Sequence, residues 1–498
     1  MDRFLMGSAG DLRQLCVIGA AQHTVRGSDA PEPLISWEQR AREAAAESGI
    51  EYVLSQIDSL QIVYCQTWPY DDPAGRLATA LGAAPRHRIY SGIGGTTPQE
   101  LANRTAEAMR RGELDLALIC SAEALATTRA AKKAGTRLPW SHRKSSPFPW
   151  EPPHPAEVNH EVFQAWETFP LWDTARRARH GETLADDATE AAAMMAAMSS
   201  VAAGNPHAWR PVALDAATIK TASANNRYVG WPYTKHEVAV MDVDMSAAVL
   251  VATREKADAL GVSEDRRLYL SGWAYAEDPA SIAARADMSK SAAMSAVGKH
   301  ALAQAGVGLD DIDAFDLYSC FPSSLRFACD ALGLAVDDPR GLTITGGLPY
   351  AGGPASGYQM HAIASAYDRL CDGPGPDRVL ITGVGMHMAK HVAGVWASTP
   401  GLSNAPPDPA VVQAEVDAAQ PHRDLLTTWS GPATVCAYTV AHGRDGAAQQ
   451  GLVVLDTEQG RALARVHDGS LLADAELREL VGQPVTVTTD GKRNRARW

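Results

Sequence analysis

The stretch Tyr90-Ser91-Gly92-Ile93-Gly94-Gly95-Thr96-Thr97-Pro98-Gln99-Glu100 governs how the rest of the chain is read. Thr97 has the side chain of a helix cap, Pro98 suits a first turn, and Glu100 completes a capping box, so a glycine loop feeds a helix. Backbone N–H groups at such a start, aided by the helix dipole, hold an oxyanion or phosphate, with about 1–2 kcal/mol available in a partly buried site. The same glycines also serve an ordinary turn, and this stretch alone leaves both readings open.

Outward from the loop, short apolar runs alternate with amphipathic stretches: 15–20, a helical 37–48, 59–65, a helix over 98–111, and 114–120. That alternation predicts βα units around a parallel sheet. From 138 to 155 the prolines Pro139, Pro147, Pro149, Pro152, Pro153 and Pro155 exclude helix and central strand, so an excursion begins there. It carries one long Ala- and Met-rich helix over 184–203, stopped by Gly204-Asn205-Pro206, before 247–252 resumes as a buried strand. A second βα series follows: strands at 268–273, 314–318, 343–345 and 378–382, with helices over 290–305 and 324–332. Past Pro406, Pro407 and Pro409 the pattern changes to spaced β-runs at 434–442, 451–456, 462–466 and 484–488, which predict a small β-barrel.

Composition sets the limits. A chain of 498 residues exceeds one ordinary core and suggests about three domains. It is 46% hydrophobic, yet no apolar stretch approaches the roughly 20 residues of a membrane span. The net charge of −13 disfavours a general nucleic-acid binder, so any anion site is a local construction. Seven scattered cysteines, never spaced Cys-x-x-Cys, indicate neither a disulfide framework nor a zinc ribbon and fit a reducing cytoplasm. Met1 to Gly10 lacks the basic and apolar regions of a secretory signal.

With these elements in place, the chain resembles the thiolase superfamily, its sterol-carrier-protein type in particular. The resemblance rests on the first glycine loop, on Arg111-Gly112-Glu113-Leu114-Asp115 with the strand ending at Ala122-Glu123, and on 242–252 as the last strand of the amino-terminal half. Asp316-Leu317-Tyr318-Ser319-Cys320-Phe321 resembles the His-Asp-Cys-Phe segment. Gly346-Gly347 through Gly352-Gly353-Pro354-Ala355-Ser356-Gly357 resembles the Gly-His-Pro segment, and Gly383-Val384-Gly385-Met386 the closing glycine loop. The match covers about residues 10–400. It implies an α/β thiolase fold with an amino-terminal half (1–265, including a loop-domain insertion at 125–235) and a carboxy-terminal half (266–402). A proline-containing linker (403–430) and an OB-fold-like domain (431–498) follow. The tail resembles the OB-fold domains that accompany thiolase-fold aldolases, here fused, with the basic end Lys492, Arg493, Arg495 and Arg497 read as a solvated terminus.

The resemblance also shows what is missing. The nucleophilic cysteine of a thiolase falls at Gly95, the first histidine at Tyr318, the catalytic histidine at Gly353, and the alternative acid/base cysteine at Ile381. Covalent acyl transfer needs an activated thiolate beside a base, and a glycine supplies neither. What survives is a scaffold for a CoA thioester, with Gly95, Thr96, Gly353 and Gly385 marking the glycine loops that polarise a carbonyl. Tyr318 is a candidate acid or base, because some thiolase-fold aldolases carry tyrosines where thiolases carry histidines; its bland alternative is a buried structural phenol, as also for Tyr350 and Tyr358. His387, Lys390 and His391 follow the closing loop, with His387 the candidate acid or base; Cys320 sits in a catalytic-type motif at a position that packs in the family.

On the return limb of the insertion, Arg227 and Lys235 are candidates for CoA phosphates and Trp231 or Tyr233 for the adenine, against an aromatic-anchored loop. Met194, Met195 and Met198 read as core. No bound cofactor and no metal are implied; CoA or acyl-CoA is the expected ligand, in lipid and acyl-CoA metabolism, with monomer and homodimer both open. Three functional readings follow: a CoA-thioester binder without cysteine-dependent transfer, a retro-aldol lyase acting on a β-hydroxyacyl-CoA through Tyr318, and an ordinary acetyl-CoA acetyltransferase.

Overall fold

The computed structural model describes residues 12–144, 153–371, 377–401 and 404–498. Residues 1–11, and 145–152 of the proline-rich 138–155 run, therefore lie outside the described residues. In chain order the strands are β1 (Leu15–Thr24), β2 (Ser59–Ile62), β3 (His87–Tyr90), β4 (Leu116–Ala124), β5 (Tyr228–Trp231), β6 (Tyr233–Thr234), β7 (Asp244–Thr253), β8 (Leu268–Glu277) and β9 (Ala314–Asp316). Then come β10 (Arg378–Gly385), β11 (Lys390–Ala397), β12 (Leu425–Leu426), β13 (Gly431–His442), β14 (Ala448–Asp456), β15 (Arg461–Val466), β16 (Pro484–Thr489) and β17 (Asn494–Arg497).

A nine-stranded sheet runs β3-β2-β4-β7-β1-β8-β11-β10-β9. Its order shows the internal repeat: counted outward from the β1–β8 seam, each half places its first strand, then its last, then the earlier ones. β4 and β7 are buried along their whole length, as expected of strands covered on both faces. The two halves also share a packing device. A Cβ on Gly19 of β1 would overlap the carbonyl of Ala44, and one on Gly272 of β8 would overlap that of Ala301, so each first strand admits a helix backbone at the same register position. Those helices are Pro33–Glu47 and Ala292–Ala305.

The barrel at the carboxy terminus closes through five strands, β13-β14-β15-β17-β16 and back to β13. It is not a separate body. β5 of the insertion pairs with β13, Trp231 opposite Val440, and Ala437, Leu452, Val454 and Leu463 of the barrel pack in one apolar cluster with Trp172, Met195 and Leu325. Arg465 meets Glu167 at 2.8 Å, both buried, which ties the barrel to the insertion helix Ala165–His180.

Several sequence expectations need correction. The segment 343–345 is not a strand: the Thr343 and Thr345 hydroxyls and the Ile344 and Thr345 N–H groups all converge on Asp316 Oδ2, so satisfying a buried carboxylate competes with sheet pairing. The stretch read as a linker contains a helix, Pro409–Ala419, that buries Val412 and Val416 against the carboxy-terminal half. At the basic end Lys492, Arg495 and Arg497 are exposed, as expected of solvated cations; Arg495 and Arg497 stand on the outer face of the closing barrel strand, and Arg493 is ion-paired to Glu161. Met194, Met195 and Met198 lie in the core.

Candidate functional site

The helix Thr97–Arg110 starts at the first glycine loop, with Thr96 rather than Thr97 in the cap position. The expected capping box does not form: the Thr96 hydroxyl donates to the Glu100 carboxylate at 2.5 Å and leaves the backbone donors of the loop uncapped by it. Four segments far apart in sequence meet here. Gly94 N–H donates to Ser356 Oγ at 3.1 Å, and the Cβ position of Gly94 lies 3.9 Å from Gly385 Cα. Tyr318 enters from the end of β9, its N–H donated to Thr382 Oγ1 on β10 at 3.0 Å.

The decisive contact is at Gly95. A Cβ built there would stand 2.5 Å from Tyr318 Cζ and closer still to the Tyr318 hydroxyl and the Val384 carbonyl oxygen. The space beyond Gly95, where the resemblance places the thiolase cysteine, is thus occupied by Tyr318 and by the Val384 carbonyl. Tyr318 is 5% exposed, and burial, with the Cys320 thiol adding to it, holds its phenol above the usual tyrosine range, so it is a neutral hydroxyl at physiological pH. Its ring meets Tyr358 edge-on at 5.5 Å. Tyr358 is structural: its hydroxyl donates to Asp316 Oδ1 at 2.9 Å and lies 2.6 Å from Thr345 Oγ1. Tyr350 is buried with its hydroxyl unpartnered.

At Gly353, where the resemblance puts the catalytic histidine, the space beyond the Cα is bordered by Leu348 Cδ2 at 3.4 Å and Ala239 Cβ at 3.6 Å. Ile381 is fully buried. Cys320 bonds Ser324 Oγ at 3.6 Å, and burial pushes its thiol up to about 12, the opposite of an activated thiolate. Cys120 is likewise buried and raised, beyond the usual range.

His387 sits at the tip of the hairpin joining β10 to β11, between Met386 at φ +56° and Met388 at φ +63°. Two non-glycine residues in the left-handed region mark a strained turn. Thr168 Oγ1, from the insertion, lies 2.8 Å from His387 Nδ1 and fixes the ring; burial lowers its pKa to about 4, so the imidazole is neutral at pH 7. With Lys390, Met386, His154, Glu157 and Ser281 it lines a partly open cavity of about 80 Å³. The other hairpin histidine, His391, is buried and donates from Nε2 to the Met388 carbonyl at 2.9 Å.

The four residues singled out for CoA divide into two pairs. Trp231 stacks on Tyr438 of the barrel at 5.5 Å under the Arg177 guanidinium, and the Tyr233 hydroxyl donates to Asp173 at 2.7 Å; both rings are buried anchors, which removes them from contact with an adenine. Arg227, partly exposed, donates to the Tyr228 carbonyl at 2.6 Å, and its own carbonyl accepts from Lys235 N–H at 3.0 Å, so Arg227 and exposed Lys235 stand side by side. Sequence reasoning missed Thr168, which lies 219 residues from the histidine it orients. It missed Ser356 as well, although Ser356 stands in a quoted glycine segment and its small hydroxyl was the available signal.

The fold and this site define a thiolase-fold protein in which Tyr318 packs against Gly95 at the start of the helix. The family model for the thiolase-like protein type 1 additional C-terminal domain matches residues 411–492. A monomeric SCP2-thiolase-like protein type 1 from Mycobacterium smegmatis superposes with a TM-score of 0.84 at 32% identity, covering 97% of this chain and 99% of that one, and the chain belongs to the SCP2-thiolase-like protein type 1 family. Acetyl-CoA acetyltransferase from Syntrophomonas wolfei (TM-score 0.56, 14% identity, 77% of this chain and 99% of that one) shares the fold. So does the Ltp2-ChsH2(DUF35) aldolase (0.61, 15%, 77% and 98%). No curated protein matches this chain in sequence.

Proposed function

We propose that this protein binds a coenzyme A thioester without forming an acyl-enzyme. The observation that carries the reading is Gly95: no nucleophile stands at the head of the helix, and the Tyr318 hydroxyl fills its place. The glycine loops keep their convergence without the side chains of covalent catalysis, so backbone donors at the helix start remain for a thioester carbonyl. Arg227 and Lys235 are the cations proposed for its phosphates. The family relative is described as monomeric, and we propose the same state here.

A second reading is favoured by the neutral, buried Tyr318: a retro-aldol lyase needs an acid for the enolate and a base for the β-hydroxyl but no covalent nucleophile. Ordinary acetyl-CoA acetyltransferase activity has no support from Cys320, whose thiol is raised and bonded to Ser324.

Calorimetric titration with CoA, acetyl-CoA and a bulky β-hydroxyacyl-CoA, with product analysis on the same samples, tests both readings. Binding with no acyl adduct by mass spectrometry and no cleavage supports the binder. Cleavage abolished by Tyr318→Phe, with binding retained, supports the lyase. A cysteine-linked acyl group, or no binding of any of the three, overturns the proposal.

A further inference from the structure

One connection between the carboxy-terminal barrel and the candidate site runs through a buried side chain, Arg285. Its guanidinium lies 4.1 Å from the centre of the Trp172 ring of the insertion and 3.5 Å from Asp278 Oδ2 beyond β8, and it donates to the Met388 carbonyl at the tip of the β10–β11 hairpin. That carbonyl also accepts from His391 Nε2, and Asp278 N–H donates to the neighbouring Ala389 carbonyl at 2.8 Å. The strained turn that carries His387 is therefore held from below by Arg285, Asp278 and His391, all buried.

Arg285 is in turn held by the barrel. Arg461, itself 3% exposed, donates to the Arg285 carbonyl at 3.1 Å and the Ala286 carbonyl at 3.0 Å, with its Nε on Asp456 at 2.5 Å. Arg423 N–H donates to the Ala284 carbonyl at 2.7 Å, and Arg285 bridges to His422. Barrel strand β15, the segment 282–286 and the hairpin tip form one continuous polar chain through otherwise apolar surroundings, where each unmet group costs about 1–3 kcal/mol.

We propose that the barrel is a positioning element of the site: Arg461 fixes Arg285, and Arg285 fixes the hairpin that presents His387 to its cavity. Two left-handed non-glycine residues do not persist without such support, because each costs on the order of 1–3 kcal/mol on its own. The part of this inference that concerns ligand affinity rests on the CoA reading; the part that concerns the hairpin does not.

The test compares full-length Arg461→Met, Arg461→Lys and Thr439→Val. Thr439 donates to the Trp231 carbonyl at 2.9 Å and joins the barrel to the insertion away from Arg285, so its loss weakens barrel docking without touching the polar chain. Amide hydrogen exchange at Ala389 and Asp278 is followed by mass spectrometry or NMR, beside unfolding midpoints and CoA titration. Arg461→Met is expected to speed exchange at these amides by about tenfold or more, as local opening becomes easier. Arg461→Lys is expected to recover most of the protection, and Thr439→Val to leave it at the wild-type level.

Wild-type protection in Arg461→Met, or equal loss in Thr439→Val, overturns the proposal. If Arg461→Met does not fold, the residual effect of Arg461→Lys decides: exchange at Ala389 and Asp278 about two- to threefold faster than wild type, and unchanged in Thr439→Val, supports the proposal, and wild-type rates or equal loss in both variants overturn it. Failure of the wild-type protein to bind CoA removes the CoA reading and leaves the exchange comparison standing.

Discussion

Gly95 and Tyr318 must be considered as a pair. A methyl group at residue 95 overlaps both the Tyr318 hydroxyl and the Val384 carbonyl, so Gly95→Ala is expected to destabilise by about 1–3 kcal/mol, the range for overpacking a dense core. Adding Tyr318→Phe should recover only part of that loss, because the Val384 carbonyl remains; denaturant unfolding of the two single variants and the double variant measures the coupling. Full recovery would mean that the hydroxyl alone excludes a side chain. His387 makes a separate prediction. Its native pKa of about 4 lies below the 6.5 of an unfolded imidazole, so the unfolded chain binds more protons between those values. Its contribution to stability is present above about pH 6.5 and is lost as pH falls through 4. Unfolding midpoints against pH should show a shallower acid limb for His387→Gln than for wild type; identical limbs would leave His361, lowered to about 3, to account for the slope.

Strand β5 is where the insertion becomes part of the barrel, and one glycine permits it. A Cβ on Gly230 would overlap the carbonyl of Trp166, so the strand lies against the helix Ala165–His180 only with hydrogen at that position. Gly230→Ala is expected to separate β5 from the helix and break its pairing with β13, lowering stability by several kcal/mol and opening the 228–234 segment to protease. Limited proteolysis with mapping of the first cut checks this. Of the two sequence readings of 225–235, an aromatic stack on a nucleotide and a loop anchored by its aromatics, the structure has the second at Trp231 and Tyr233, for a physical reason. Aromatic rings bury about 150–250 Å² each, and Trp231 and Tyr233 find that burial against Tyr438 and Phe321, which lie 207 and 88 positions further along the chain and leave no local trace.

The chain folds as a whole because its charge pairs and apolar clusters cross the nominal boundaries. Arg177 reaches Glu479 at 2.9 Å, and Arg465 reaches Glu167. Deleting everything after residue 404 removes Arg465, the cation that pairs with Glu167 of the insertion helix. It also exposes the face of Trp172 and Met195 that Leu452, Val454 and Leu463 cover. The truncated chain is expected to aggregate or to lose its near-ultraviolet circular dichroism; a soluble product with native spectra would show that the barrel is an independent appendage. No helix among the described residues is long and apolar enough to cross a membrane.

Local chemistry made much of this molecule legible. Apolar runs such as 116–120 and 247–252 announce buried strands wherever they occur, the Ala/Met helix and its Gly-Asn-Pro stop announce themselves, and four glycine loops in family order identify the thiolase scaffold. The absence of a nucleophile at Gly95 is also a property of the sequence, since a glycine has no side chain in any fold. What fills that absence is not: Tyr318 reaches Gly95 only because β9, β10 and the first glycine loop converge, and a volume is occupied or empty only in three dimensions. The same holds for Thr168 on His387 and for Arg461 on Arg285. Such pairs are made by residues hundreds of positions apart, where desolvation and the demand of buried polar groups for partners select the contact and the neighbouring sequence carries no sign of it.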